Sequence, residues 1–261
     1  MKRFYKRDKT ENIITAQKNI ASGHKKCEVD TLPDNAMIFC MSKWDVILET
    51  KYTRKTLATT LPRFLGYTPV YVTQQHPDWC FVHGGAGAPQ IADTVETLVA
   101  MGVKNLVLVG LAGGFGDDIN VGDIVVPTKM LIMEGTSEHY CGKKKFAYQN
   151  SPYNIDNVEK YLANKDIKLH RNGVVTTDAC YRQSLYKEDL WRKSGCVCVE
   201  MESSAFCNVS KCYNIPCSVF LYISDRHKKT PGENWNWGMK KHSQRETFIT
   251  TIIDYVTNVK F

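Results

Sequence analysis

Short apolar runs alternate along this chain with segments of helical spacing, and most of the runs stop at a glycine or a polar cluster. Residues 36–40, 105–110, 123–127, 172–176, 196–199 and 217–224 read as buried strands; Ala112-Gly-Gly114 breaks the chain after the second and Pro127 closes the third. Residues 69–73 and 79–83 read as a strand pair around a polar turn with His76-Pro77-Asp78. In residues 90–101, Ile91, Val95, Leu98 and Val99 recur at helical spacing, and Gly102 ends that helix. Further helices are expected at 157–164, 185–192, 201–213 and 244–259. Residues 134–152, rich in Gly, Ser, Tyr and Lys, read as a long surface excursion, and Asn234-Trp-Asn-Trp237 as a polar loop. Strands and helices alternating at this interval predict a single α/β domain with a central mixed, largely parallel sheet flanked by helices.

The 261 residues are 43% hydrophobic and 23% charged, which allows a packed core and excludes wholesale disorder. At this size roughly 70–75% of the unfolded surface can be buried, so no metal or disulfide staple is needed. The longest apolar runs, 106–112 and 219–223, fall far short of the about 20 residues of a membrane span. Residues 1–10 are charged and lack an apolar stretch, which argues against a secretory signal and predicts a cytoplasmic protein.

The formal charge is +7, and residues 1–30 hold eight basic side chains against four acidic ones. They read as a basic, solvated N-terminal extension, with the folded domain spanning 31–261; no aromatic pattern or nucleic-acid module accompanies the charge. Of the ten cysteines, Cys196 and Cys198 share a strand face, and Cys207, Cys212 and Cys217 are five apart with no CxxC or paired histidines. They read as reduced thiols, and no metal is expected.

Three polar clusters follow predicted strands, where open α/β sheets place their ligands. Gly84-Gly85-Ala86-Gly87 leads into a helix; such glycines allow close backbone approach and a helix N-terminus favours anions, though the same residues also make a plain tight turn. Glu200-Met201-Glu202-Ser203 lies between a strand and a helix, where a carboxylate either compensates the helix dipole or accepts two hydroxyl hydrogen bonds from a sugar. Ser224-Asp225-Arg226-His227 follows the most apolar strand. An aspartate emerging there is poorly solvated, which raises its pKa and suits a general acid; the alternative is a cap or a salt bridge to Arg226, with His227 a surface histidine.

Together these clusters resemble the nucleoside phosphorylase family, which includes hexameric purine nucleoside phosphorylases, uridine phosphorylases and related nucleosidases. The resemblance is carried by Gly84-Gly-Ala-Gly-Ala-Pro89, Val109-Gly-Leu-Ala-Gly-Gly114, Val121-Gly-Asp-Ile-Val-Val-Pro127 and Glu134-Gly-Thr-Ser137. It continues in Thr176-Thr-Asp-Ala-Cys-Tyr181, Val199-Glu-Met-Glu-Ser203 and Ile223-Ser-Asp225, collinear over residues 37–260. Any single piece is weak; seven in order are specific.

The resemblance implies cleavage of the N-glycosidic bond of a purine nucleoside by phosphate, giving free base and ribose 1-phosphate. It places Glu202 on the ribose hydroxyls, Met201 against the sugar, Cys180, Tyr181 and Ser224 around the base, and Asp225 at purine N7 as the catalytic acid. Gly85, Lys43, Arg63 and Ala112 would hold the phosphate or another anion. It also implies a homo-oligomer, dimer or hexamer, acting on a small-molecule nucleoside, with no metal or organic cofactor, no nucleic acid and no membrane. Loss of the base leaves an oxocarbenium-like sugar, so protonating the leaving group and fixing the sugar hydroxyls both favour the transition state.

The chain departs from the family pattern where phosphate should bind. The segment after the first strand retains only Lys43 as a cation, and Leu108 replaces an arginine before the central glycine. Two lost arginines remove bidentate contacts that one lysine does not replace. A hydrolytic nucleosidase giving free base and ribose is therefore a rival reading, with Asp45 or Glu49 as bases, and a nucleoside- or nucleotide-binding module without turnover is a third. For the family's late arginine that supports the aspartate, Arg226, Lys240 and Lys241 are the candidates.

Overall fold

The segment Asn-Leu-Val-Leu-Val-Gly-Leu-Ala-Gly-Gly is apolar at nearly every position, the signature of a central strand covered on both faces. The structure, a computed structural model, describes residues 10–165, 167–238 and 242–259. In chain order the elements begin with α1 (Ala16–Ala21), β1 (Asn35–Cys40), α2 (Trp44–Lys51), β2 (Arg54–Ala58), β3 (Val70–Thr73), β4 (Trp79–His83), α3 (Ala88–Ala100) and β5 (Asn105–Gly114). There follow β6 (Ile124–Val125), β7 (Lys129–Met133), α4 (Thr136–Cys141), β8 (Phe146–Ala147), α5 (Ile155–Ala163), β9 (Leu169–His170) and β10 (Gly173–Thr177). After a 3₁₀ turn at Cys180–Arg182 come α6 (Leu185–Lys193), β11 (Cys196–Glu200), α7 (Ser203–Cys212), β12 (Cys217–Arg226) and α8 (His242–Asn258).

The main path of the sheet runs β2-β3-β4-β1-β5-β11-β10-β7-β8, and β12 joins β5 to β6. β1 lies parallel to β4 and β5, and β12 parallel to β5 along Leu106–Gly114. β11 crosses over to pair antiparallel with the end of β5, Val199 opposite Gly113 and Cys198 opposite Gly114. The domain is thus a single α/β unit around a large mixed, mostly parallel sheet, as the alternation of runs predicts.

Side chains of β5 and β12 alternate between two cores. Leu106, Leu108, Val219, Leu221 and Ile223 pack with Ile91, Val95 and Leu98 of α3 and Phe206 and Val209 of α7. Val107, Val109, Phe220 and Tyr222 pack with Leu48 of α2, Leu162 of α5 and Phe248 and Ile252 of α8. Each such fully buried aliphatic or phenyl group stabilises the fold by roughly 1.5–3 kcal/mol. Helix starts follow from local chemistry: Ser184 and Asn154 cap α6 and α5 through their side chains.

Several expectations are corrected. β5 does not break at Ala112-Gly-Gly114 but runs to Gly114, because β12 and β11 supply partners along both edges. The strand expected at 123–127 shrinks to Ile124–Val125, paired with β12 and β9. The stretch 134–152 is no surface excursion: it contains α4 and β8, and Ser137 is buried where it accepts a hydrogen bond from Asn208 Nδ2 at 2.8 Å. Most of residues 10–30 are exposed, but Lys25 is buried, its Nζ donating to the carbonyls of Arg63, Phe64 and Gly66 at 2.8, 3.1 and 2.6 Å. Among the described residues no helix is long and apolar enough to cross a membrane.

Candidate active site

The ends of several strands converge on the second half of β5. Cys40 of β1 lies opposite Gly110, while Asp225 of β12 and Val199 of β11 lie opposite Gly113. Small residues on β5 make that approach possible, since a Cβ on Gly113 would collide with His227 Nε2 and lie 3.2 Å from Asp225 Oδ2.

The glycine turn after β4 is drawn inward, not opened toward an anion. Its backbone N–H groups are occupied: Gly85 donates to His83 Nδ1 at 2.9 Å, Ala86 to Gln90 Oε1 at 2.6 Å and Gly87 to Glu202 Oε1 at 2.5 Å. Burial, reinforced by Arg63, holds His83 below the usual histidine value, so its neutral ring can accept from Gly85. Gly85 and Gly87 take φ of 90° and 83°, conformations that favour glycine. The anion cradle expected at Gly85 is thus filled by the chain's own acceptors.

Two buried carboxylates lie at the end of β11, Glu200 closing the strand and Glu202 just beyond it. Glu200 accepts from the N–H groups of Glu202 and Ser203 and from the hydroxyls of Ser203 and Thr176, all at 2.5–2.8 Å. Glu202 accepts from the Gly87 N–H. Burial raises both acids, but four donors make Glu200 the member better able to hold a charge, and that charge raises Glu202 further. The surrounding polar network links the motif residues: Ser204 donates from its N–H to Thr176 Oγ1 and from its hydroxyl to Glu134 Oε1, and Glu134 Oε2 accepts from Ser137 N.

Asp225 is buried at the end of β12. Its Oδ1 accepts from Ser224 Oγ at 2.7 Å, and its Oδ2 from Trp235 Nε1 at 2.7 Å, with His227 Nε2 at 3.5 Å. Burial works to raise its pKa, but the His227, Ser224 and Trp235 contacts prevail, and the carboxyl lies below the ordinary value. The raised pKa expected from the sequence is therefore reversed. His227 is no surface histidine: its Nδ1 lies 2.7 Å from Oε1 of buried Glu188 on α6. Burial opposes its charge, yet the Asp225 and Glu188 contacts push its pKa up to about 9.

Other sequence candidates scatter. Arg63 is buried in its own chain, its Nη1 donating to His83 O at 2.9 Å and Thr94 Oγ1 at 2.7 Å, while its Nε has no partner among the described residues. Cys40 is raised first by burial and then by Glu202 and Glu200, with Arg63 opposing, so the acids and the guanidinium both border β1's end. Lys43 is exposed ahead of α2, and Ala112 is an ordinary β5 residue whose carbonyl faces Ser224 Oγ at 3.4 Å. Cys180 is exposed and Tyr181 is 95% exposed; Met201, between the two acids in sequence, is half-buried. Asp45 and Glu49 are both tied to Arg54, and Arg226 turns to Asn120 Oδ1 and the Asp117 carbonyl, away from Asp225. Lys240 and Lys241 lie outside the described residues.

The family model for the phosphorylase superfamily matches residues 48–255. A DeoD-type purine nucleoside phosphorylase of Clostridium perfringens is 30% identical over 192 residues, 73% of this chain and 77% of the relative. A guanosine phosphorylase of Halorubrum lacusprofundi is 29% identical over 141 residues, 53% of this chain and 57% of the relative. The fold is similar to that of Toxoplasma gondii purine nucleoside phosphorylase in complex with immucillin-H, with a TM-score of 0.72 at 15% identity, covering 87% of this chain and 91% of the other. It is also similar to the 5'-methylthioadenosine/S-adenosyl homocysteine nucleosidase of Campylobacter jejuni, with a TM-score of 0.67 at 16% identity, covering 87% and 100%. With four-fifths of its length inside the family model and its motif residues joined by one buried hydrogen-bond network, the chain belongs to the phosphorylase superfamily.

Proposed function

We propose that the protein cleaves the N-glycosidic bond of purine nucleosides, with Glu202 holding the ribose hydroxyls, Asp225 assisting departure of the base and inorganic phosphate capturing C1′. The chain is an enzyme of the nucleoside phosphorylase or nucleosidase type. The observation that carries the finer reading is the placement of two buried carboxylates, Glu202 and Asp225, on the two chain segments that meet β5 at Gly113. A sugar binding to Glu202 donates two hydroxyl hydrogen bonds and draws the carboxyl into its charged form. Charge-assisted contacts to the hydroxyls strengthen as the ring becomes cationic, which favours the transition state over the bound nucleoside.

For the acceptor, Arg63 supports phosphate: it is a buried cation with an unpartnered Nε, and it borders Cys40 together with the acids. Two observations favour water as a second reading. Leu108 is fully buried and apolar, and the N–H groups of Gly85 and Ala86 are already taken. Release of free base from purine nucleosides with and without inorganic phosphate tests both readings. Ribose 1-phosphate formed only with phosphate supports the first, whereas free ribose formed without it supports the second. Absence of cleavage under either condition counts against both.

A homo-oligomer belongs to the same proposal. Ile14, Phe64 and Leu65 are exposed along a groove of about 760 Å³ that Asp93, Gly135 and Asp178 also line. A monomeric mass in solution would remove this part.

A further inference from the structure

We propose that His227 is the proton source for Asp225, and that Glu188 positions the imidazole ring for that role; this rests on the reading of Asp225 as the group that assists the departing base. An aspartate that is ionised when substrate arrives has no proton of its own to give. Both of its oxygens already accept hydrogen bonds, Oδ1 from Ser224 and Oδ2 from Trp235, which favours the ionised form. Among the described residues, the cationic side chain paired with Asp225 is His227, whose Nε2 stands 3.5 Å from Oδ2.

His227 is held from every side. Its backbone N–H donates to Gly114 O at 2.8 Å, and its ring meets Trp235 edge-on at 6.2 Å and Phe115 at 6.5 Å. Among the described residues, the charged groups around it are Asp225, two positions earlier on β12, and Glu188 on α6, with Arg192 3.3 Å behind Glu188 and itself bound to Asp189. Gly113 of β5, whose missing Cβ leaves room for Nε2, and Phe115 just past that strand also face it. Farther out, Lys229 pairs with Asp117. Glu188 is 4% exposed, and a carboxylate so buried requires a partner. By engaging Nδ1 it directs the other ring nitrogen toward Asp225.

The step balances without a further reactant. As the C1′–N9 bond breaks, its electron pair passes into the purine, and the Nε2 proton of His227 passes to Asp225 and on to N7, leaving Asp225 ionised as it began. The neutral imidazole keeps its remaining proton on Nδ1 against Glu188 and recovers the other from solvent, while the acceptor oxygen bonds to C1′. His227 acts through Asp225 and is a positioning and proton-supplying residue, not a group that touches substrate.

The test compares an ordinary purine nucleoside with its 7-methylated counterpart, whose ring is already cationic and needs no proton at N7. In the wild-type enzyme, kcat for the ordinary substrate is expected to fall on the alkaline side as His227 loses its proton. His227→Gln should lower that kcat by about 100-fold with KM changed less than about threefold, remove the alkaline limb, and leave the 7-methylated substrate within about threefold. Glu188→Gln should move the alkaline limb down by about one pH unit, a second readout should the first variant fold poorly. Equal losses on both substrates, or an alkaline limb unchanged in both variants, overturn the proposal while leaving nucleoside cleavage intact. Cleavage of neither substrate by the wild-type enzyme overturns the reading of Asp225 on which the proposal stands.

Discussion

The backbone N–H of Gly87 meets the carboxylate of Glu202 at 2.5 Å although the two residues are 115 positions apart. This bond ties the glycine turn to the β11–α7 junction and leaves Glu202 facing Glu200 with fewer donors than its neighbour. Glu202→Gln keeps the acceptor for Gly87 but removes the charge a ribose would use. Turnover should fall at least about 100-fold, while stability near pH 9 rises by about 1–3 kcal/mol as the repulsion with Glu200 disappears. Steady-state kinetics and thermal unfolding of one preparation check both directions.

Asp225→Asn retains the shape and the hydrogen bond from Trp235 while abolishing proton transfer. Nucleoside affinity should change less than about fivefold and kcat should fall about 100- to 1,000-fold. Equilibrium binding measured by quenching of tryptophan emission, alongside the rate of base release, separates the two effects. A loss of binding equal to the loss of rate would assign Asp225 to recognition alone.

Unfolding should depend on pH in a way set by His227. Its folded pKa of about 9 lies above the ordinary 6.5, so the stability from its ion pairs is complete below about 6.5 and is lost as pH rises through about 9. The loss is on the order of 2–3 kcal/mol for this mostly buried group. Asp225 works oppositely: its lowered pKa gives stability above the ordinary 3.8 that is lost as pH falls. The Tm should therefore drop between pH 7 and pH 10, and His227→Gln should flatten that slope.

Gly113→Ala places a methyl group against His227 Nε2 and 3.2 Å from Asp225 Oδ2. The ring must yield, so kcat should fall about tenfold and stability by about 1–3 kcal/mol, the usual cost of overpacking. Kinetics at saturating nucleoside, with Gly102→Ala as a control where a Cβ meets open space but φ is 98°, will distinguish loss of catalysis from backbone strain.

Lys25→Met removes a cation shared among three carbonyls while retaining an apolar stem beside Tyr67. The variant should lose about 2–3 kcal/mol, in line with hydrogen bonds to charged groups. Amide exchange in residues 63–67 should speed up before the rest of the sheet responds. If phosphate is the acceptor, its KM should rise severalfold, because Arg63 sits on the loosened segment.

The buried inner strands were legible, since a run such as 217–224 is apolar on both faces, whereas β2, β7, β8 and β9 went unread. The end of β5 was not legible either, because Ala112, Gly113 and Gly114 look like a turn until β11 and β12 are beside them. Glu202 and Asp225 were singled out through neighbouring motif residues. Glu188 was missed because α6 carries enough charge to pass for a surface helix, and its partner lies 39 positions away. For His227 a local signal existed: two residues after Asp225, just past the end of β12, it falls on the same side of an extended chain. Trp235 gave no signal, since an irregular loop has no period to read and its contact with Asp225 depends on the loop's return to β12.

β5 gives the molecule a particular capacity for divergence. Asp225 and the segment leading to Glu202 reach its far end through β12 and β11, whereas Cys40 and the approach from Arg63 meet it near Gly110 through β1. If Glu202 and Asp225 grip sugar and base as proposed, substitutions around Gly110 would change what meets the sugar from the β1 side while that grip keeps its register.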